Sequence, residues 1–235
     1  MVWDEDGWPV VNGGKSVTPI MNVEGTGNSV GLQSWRDDFT GPGYDQRWSW
    51  MRNPNMANYV LDRGLTLKGC HRGLSDGLTL SGEFRTLSVG NDPTMLLTRQ
   101  NHFDLRCQTQ IRLSGSGLGG LTVFHTCEHH YDLCVKAQAG GMAVWLRRQA
   151  ADMFMESQPV IFGDAEHLIL RVEADKLKYR FYAGASEDQM ILIGTGSSQM
   201  LSTEVMRCTF TGCFTGVFAE GDAQATFASF SCEYL

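Results

Sequence analysis

The fold is decided between Gly119 and Val135, GGLTVFHTCEHHYDLCV. Leu121 to His125 reads as one strand, Thr126-Cys127-Glu128-His129 as a polar turn, and Tyr131 to Val135 as the returning strand. Leu121, Val123, Tyr131, Leu133 and Val135 share one parity and are apolar. Thr122, Phe124, His130, Asp132 and Cys134 share the other. Successive side chains of a strand point to opposite faces. The stretch is therefore a hairpin with one core face and one chemically mixed face.

Both faces extend along the chain. Downstream of His102, Phe103, Leu105, Cys107, Thr109, Ile111 and Leu113 alternate with Asp104, Arg106, Gln108, Gln110 and Arg112. Met142, Val144 and Leu146 alternate with Ala143, Trp145 and Arg147. Leu168 to Ala174 and Leu177 to Ala183 repeat the pattern across a tight hairpin at Asp175-Lys176. Further strands are expected at Leu65–Lys68, Phe84–Val89, Met95–Arg99, Met190–Ile193, Gly216–Ala219 and Ala225–Tyr234. One helical turn is expected at Ser202–Met206. Some dozen short strands of period two, separated by turn residues, predict an all-β, two-sheet antiparallel sandwich of the jelly-roll kind.

Composition bounds the function. The 235 residues are 42% hydrophobic and 19% charged, which suits one large globular β domain. The formal net charge of −7 argues against a nucleic-acid or anionic-membrane surface. No apolar run approaches the ~20 residues of a spanning helix. MVWDEDGWPV lacks the apolar core of a signal peptide. The seven cysteines are scattered, so mostly reduced structural thiols are expected, with Cys208 and Cys213 the nearest local pair.

The mixed parity of the central strands collects Phe124, Asp132, Trp145, Arg147, Arg171, Arg180 and Tyr182. Aromatic faces lie against sugar C–H surfaces, and guanidinium and carboxylate groups take hydroxyls. A sugar groove and a loop-covered sheet would both read this way, and the pattern leaves the two open. His125-x-Cys127-x-His129-His130 invites a metal reading, but no second ligand pair follows at zinc spacing, so no metal site is expected. No convincing carboxylate pair for glycoside hydrolysis, nucleophile elbow or phosphate loop is found, so no catalytic residues are assigned.

Four segments carry a family resemblance. DDFTGPGYDQRWSWMRNPNMANYVL from Asp37, MLLTRQNHFDLRCQTQI from Met95, the GLTVFHTCEHHYDLCV hairpin and SSQMLSTEVMRCTFTGCFTGVFAEG from Ser197 occur in order. Together they resemble the C-terminal concanavalin-like sandwich of glycoside hydrolase family forty-three β-xylosidases and arabinofuranosidases, carbohydrate-binding module family ninety-one. DGWPVVNGG resembles the last strand of that family's five-bladed catalytic propeller. The resemblance implies a propeller remnant plus linker over residues 1–34 and a binding module over 35–235. It also places the catalytic carboxylates on a propeller this sequence does not contain. The expected function is non-catalytic binding of xylan or xylo-oligosaccharides beside a β-xylosidase. One alternative is a domain that packs on a catalytic propeller, and another is a residual glycosidase.

Trp48, Trp50, Arg52, Asn53, Arg99, Gln100 and His102 match the family's motifs and serve either an interdomain interface or the ligand. A structural calcium would need acids that this final strand, Ala225-Thr226-Phe227-Ala228-Ser229-Phe230, has replaced, so no cofactor is expected. The family makes an extracellular location the natural one.

Overall fold

The computed structural model describes residues 2–16, 32–69, 93–205 and 212–235. The chain divides into two compact units, Met1–Gln33 and Ser34–Leu235. In the first, β1 (Val2–Trp3) pairs antiparallel with β2 (Pro9–Val10). The Asp4 carboxylate closes their loop by accepting from the Asp6 and Trp8 backbone N–H groups.

The second unit contains sixteen described strands: β3 (Trp35–Asp37), β4 (Trp48–Trp50), β5 (Tyr59–Leu61), β6 (Leu65–Lys68), β7 (Thr94–Arg99), β8 (Leu105–Gly115), β9 (Leu118–Thr126), β10 (His129–Gln138), β11 (Gly141–Ala150), β12 (Met153–Glu156), β13 (Val160–Gly163), β14 (Leu168–Ala174), β15 (Lys178–Gly184), β16 (Ile191–Ser197), β17 (Phe214–Glu220) and β18 (Ala223–Tyr234). They form two antiparallel sheets. The front sheet runs β12-β11-β10-β9-β17-β7-β4, with β13 also on β11. The back sheet runs β16-β15-β14-β8-β18-β6-β5, with β3 also on β18.

The period-two pattern becomes one buried layer between the sheets. Leu121, Val123, Tyr131, Leu133, Val135, Val144, Leu146 and Val217 face it from the front. Leu105, Cys107, Ile111, Leu168, Leu170, Val172, Phe181, Phe227 and Phe230 face it from the back. A fully buried side chain of this size contributes about 1.5–3 kcal/mol. A one-residue slip would turn a whole strand's set outward, so these residues also fix register.

Two glycines set how closely the front strands approach. A Cβ at Gly120 would lie 2.0 Å from the Leu133 carbonyl oxygen, and one at Gly216 would lie 2.1 Å from that of Leu96. Both positions pair with residues of the outer face, where they leave the sheet bare of side chains.

The structure differs from the sequence reading in places. The opening hairpin is longer, its turn reduced to Cys127-Glu128, with a register shift at His129/His130. Phe103 is 59% exposed, because β8 begins only at Leu105. Leu177 sits exposed in the Asp175 turn. A 3-10 turn forms at Ser198–Leu201, before the expected Ser202 start. The expected strand Phe84–Val89, and Cys70 and Cys208, lie outside the described residues. The five described cysteines, Cys107, Cys127, Cys134, Cys213 and Cys232, are free thiols.

A polar row and an aromatic rim on the front sheet

The outer face of the front sheet is built by cross-strand register. Asp132 on β10 lies between Thr122 on β9 and Arg147 on β11, and Gly216 on β17 lies beyond Thr122. Directly opposed residues share a face, so this row is a continuous strip. Thr122 Oγ1 donates to Asp132 Oδ1 at 2.7 Å. Arg147 Nη1 sits 2.9 Å and 3.0 Å from the two Glu220 oxygens and 3.7 Å from Asp132 Oδ2. Glu156 Oε1 lies 3.5 Å from Arg147 Nε. The long guanidinium stem reaches Glu220 across strands where Gly120 supplies no side chain.

Thr122, His130, Asp132, Arg147 and Glu220 are all buried. Burial pushes the Asp132 carboxyl up, but the neighbouring His130 and Arg147 outweigh it and hold it below the usual carboxylate range. His130 Nδ1 is 2.9 Å from Asp132 Oδ2, outside hydrogen-bond alignment, and its ring stacks on Phe124. Beside this row, Met95, Leu97, Phe124, Cys134 and Phe218 form a second apolar cluster with Trp145 and Phe214 packed against it. Arg99 lies over the Phe214 ring at 4.6 Å.

At the β11/β12 edge the same face opens to solvent. Trp145 is half-buried, and its indole Nε1 donates to Glu156 Oε1 at 2.9 Å. Phe154 is opposite Gln149 on this face and is 50% exposed. From Trp145 to Phe154 is four residues along the strand and one strand across, about 14 Å, the length of about three pyranose rings. Phe154 escaped the sequence reading. The signal was there in Met153-Phe154-Met155-Glu156, a four-residue edge strand that alternates sulfur with an aromatic and an acid.

The predicted set separates. Phe124, Asp132, Trp145 and Arg147 come together on the front sheet. Arg171, Arg180 and Tyr182 lie on the outer face of the back sheet, on the other side of the sandwich. The single mixed face expected from parity is thus two faces, because parity cannot say which sheet a strand joins. The back-face arginines are occupied: Arg171 pairs with Glu187 at 2.6 Å and Gln108 at 2.7 Å, and Arg180 with Asp175 at 2.7 Å.

The motif group separates too. Trp48 is core, packed on Trp35, Phe39 and Phe230, with Nε1 donating to Asp37 Oδ2 at 2.7 Å. Trp50 packs edge-on to Tyr44. Arg52 and Asn53 are exposed in a turn, Arg52 with φ +53°. Gln100 accepts from the Tyr179 hydroxyl and donates to the His102 carbonyl, and His102 meets Tyr234 edge-on. Arg99 stands on the front face, and Arg52 reaches the Cys127 thiol at the end of the β9–β10 hairpin.

His125 and His129 sit at the hairpin end, buried, with both nitrogens of His125 and Nδ1 of His129 lacking a hydrogen-bond partner. Among the described residues no group of three His, Cys, Asp or Glu side chains is placed to hold a metal ion. Burial, then the His129 ring, hold His125 below its ordinary pKa; burial holds His129 down against the pull of Glu128. The unfolded chain therefore takes up protons first as pH falls below about 6.5. Stability is complete above that range and declines as pH drops through it. Urea midpoints are expected to be lower at pH 5 than at pH 7.5, and His125→Gln with His129→Gln should flatten the difference. An unchanged pH slope in that pair would contradict the assignment.

Comparison with known proteins fits this architecture. Residues 36–233 match the family described as "Beta xylosidase C-terminal Concanavalin A-like domain". A non-reducing end α-L-arabinofuranosidase, BoGH43B, from Bacteroides ovatus is 27% identical over 229 residues, 96% of this chain and 41% of its own length. The solved structure titled Bacteroides ovatus Xyloglucan PUL GH43B superposes with a TM-score of 0.78 at 24% identity, covering 100% of this chain and 46% of that one. A xylan β-1,4-xylosidase from Bacillus halodurans superposes at 0.79 with 18% identity, covering 99% and 45%. The chain spans less than half the length of each of these relatives. With its two-sheet sandwich and the match over residues 36–233, the chain belongs to the family of β-xylosidase C-terminal concanavalin A-like domains.

Proposed function

We propose that this chain is a non-catalytic accessory module that holds xylan or xylo-oligosaccharides for a glycosidase. The observation that carries the reading is the Trp145–Phe154 rim. A partly buried indole is pinned by Glu156, and the exposed Phe154 ring stands about 14 Å away on the same face. An indole held in place by Glu156, beside an exposed Phe154 ring, suits the apolar faces of a sugar chain. Asp132 is held ionised and sealed from solvent, the reverse of what a general acid needs. The sugar class comes from the xylosidase and arabinofuranosidase names of the relatives.

The buried Phe124, Asp132 and Arg147 lie beside the rim on the same face, and Arg99 stands farther across the sheet on β7. In affinity electrophoresis, wild type is expected to be retarded by soluble xylan. Trp145→Ala is expected to lose at least tenfold in affinity with its urea midpoint little changed. Equal retardation of the two proteins would sink the reading.

A second reading, docking on a catalytic propeller, draws on the exposed Ile161, Ile191 and Leu192 at the sandwich edges and on the unmatched length of the relatives. It predicts co-sedimentation with a relative's catalytic domain, lost when Ile191 and Leu192 become Ser.

A further inference from the structure

Where β11 and β12 approach β16, the edges of the two sheets leave a cavity of about 200 Å³. It lies on the inner side of the edge strands, opposite to the Trp145 face. Tyr131, Arg148, Gly196 and the thioethers of Met153, Met155 and Met200 line it. The space exists because residue 196 is glycine: a Cβ there would be 2.4 Å from the Tyr131 ring.

Arg148 is the one charged residue of the lining, which also includes Thr195 and Ser197. Arg148 Nε donates to the Thr195 carbonyl at 3.0 Å, and the Tyr131 hydroxyl donates to the Ser197 carbonyl at 3.1 Å. Both carbonyls are thereby engaged. The remaining guanidinium N–H groups of Arg148 have no carboxylate within ion-pair distance among the described residues, in contrast to Arg106, Arg147, Arg171 and Arg180. No Asp or Glu lines the cavity. In a chain of net charge −7 this is a half-buried cation kept clear of acids. Its unused donors form a planar fork that fits a carboxylate. Met153 and Met155 are more than half exposed, so the mouth is open, and the methionine sulfurs and methyls are adaptable surface for the C–H face of a small ring whose hydroxyls stay in water. The volume falls below that of drug-sized pockets and admits a single small ring.

We propose that this cavity binds a monosaccharide-sized carboxylate, the chemistry of a uronic acid, with Arg148 on the carboxylate and Met153, Met155 and Met200 around the ring. The site is independent of the Trp145–Phe154 rim, which lies on the other face of the same strands.

The test uses the full chain labelled at its methionine methyls and titrated with glucuronate. Saturable shifts at Met153, Met155 and Met200 are expected. Xylose should give none, and acetate at equal ionic strength smaller shifts at lower affinity. Arg148→Met should weaken glucuronate at least tenfold while Trp145→Ala leaves it unchanged. Should Arg148→Met fail to fold, wild type supplies the second measurement: affinity should fall several-fold from about 0.01 M to about 0.2 M salt. Larger shifts with glucuronoxylan than with the free acid place the carboxylate on a polymer branch, and equal shifts place it on a free acid; both uphold the site. Absence of saturable shifts, equal shifts with xylose or acetate, an unaffected Arg148→Met, or salt-independent binding would each overturn it. A loss of xylan binding in Trp145→Ala with glucuronate binding intact keeps the two sites apart.

Discussion

Arg147→Met is expected to cost about 3–5 kcal/mol of folding stability, the range for removing one partner of a buried ion pair. The reason lies in what stays behind. Glu220 loses both close contacts to Nη1, Asp132 loses its 3.7 Å neighbour, and both carboxylates are already out of water. Thr122 still donates to Asp132 and His130 stays 2.9 Å away, but neither reaches Glu220 in the place of the guanidinium. The loss should appear as a fall of roughly 1–3 M in the urea midpoint at neutral pH. Removing the acid as well should recover part of it, because the double variant Arg147→Met with Glu220→Met takes out both members of the closest pair of the row. A single variant within about 0.5 kcal/mol of wild type would show that the row is hydrated and would leave the rim without a rigid neighbour.

Trp48→Ala is the second large effect, again about 3–5 kcal/mol, the cost of emptying an aromatic site in a packed core. Trp48 is 4% exposed and lies within 5.5 Å of Trp35, 5.7 Å of Phe39 and 5.1 Å of Phe230 by ring centroids. Its indole also satisfies Asp37, the acid that turns the chain into Phe39. Trp48→Phe should recover most of the packing and lose only the Asp37 hydrogen bond. Since Trp48 faces the core, the folded Trp48→Phe protein is expected to bind xylan as wild type does. A selective loss of sugar binding in Trp48→Phe, at unchanged stability, would return this residue to the ligand.

These two residues also show what was legible in the chain. The sandwich followed from period-two alternation, which burial alone enforces, so strands such as Leu168–Ala174 could be read directly. The two faces could not be separated. Arg147 and Arg171 have the same parity relative to the core, and only the strand order places one on the front sheet and the other on the back. Trp48 carries a family motif whether it packs or binds, and its ring contacts with distant Phe230 decide the matter. Phe154 and Arg148 were silent for another reason. Their meaning comes from position at a sheet edge, beside a strand or a cavity wall, and no local pattern marks an edge. His125 and His129 were noticed as possible ligands, but their depth and their unpartnered nitrogens appear only once the hairpin is packed.

The proposed path of a xylan chain runs along the Trp145–Phe154 rim of the front sheet. The direct measurement is the indole N–H spectrum of the full chain titrated with xylohexaose, with the Trp145 resonance assigned by its loss in Trp145→Phe. The account predicts a saturable shift of that resonance, with the core indole of Trp48 unmoved. Saturable binding that leaves Trp145 still, or no binding at all, would contradict it.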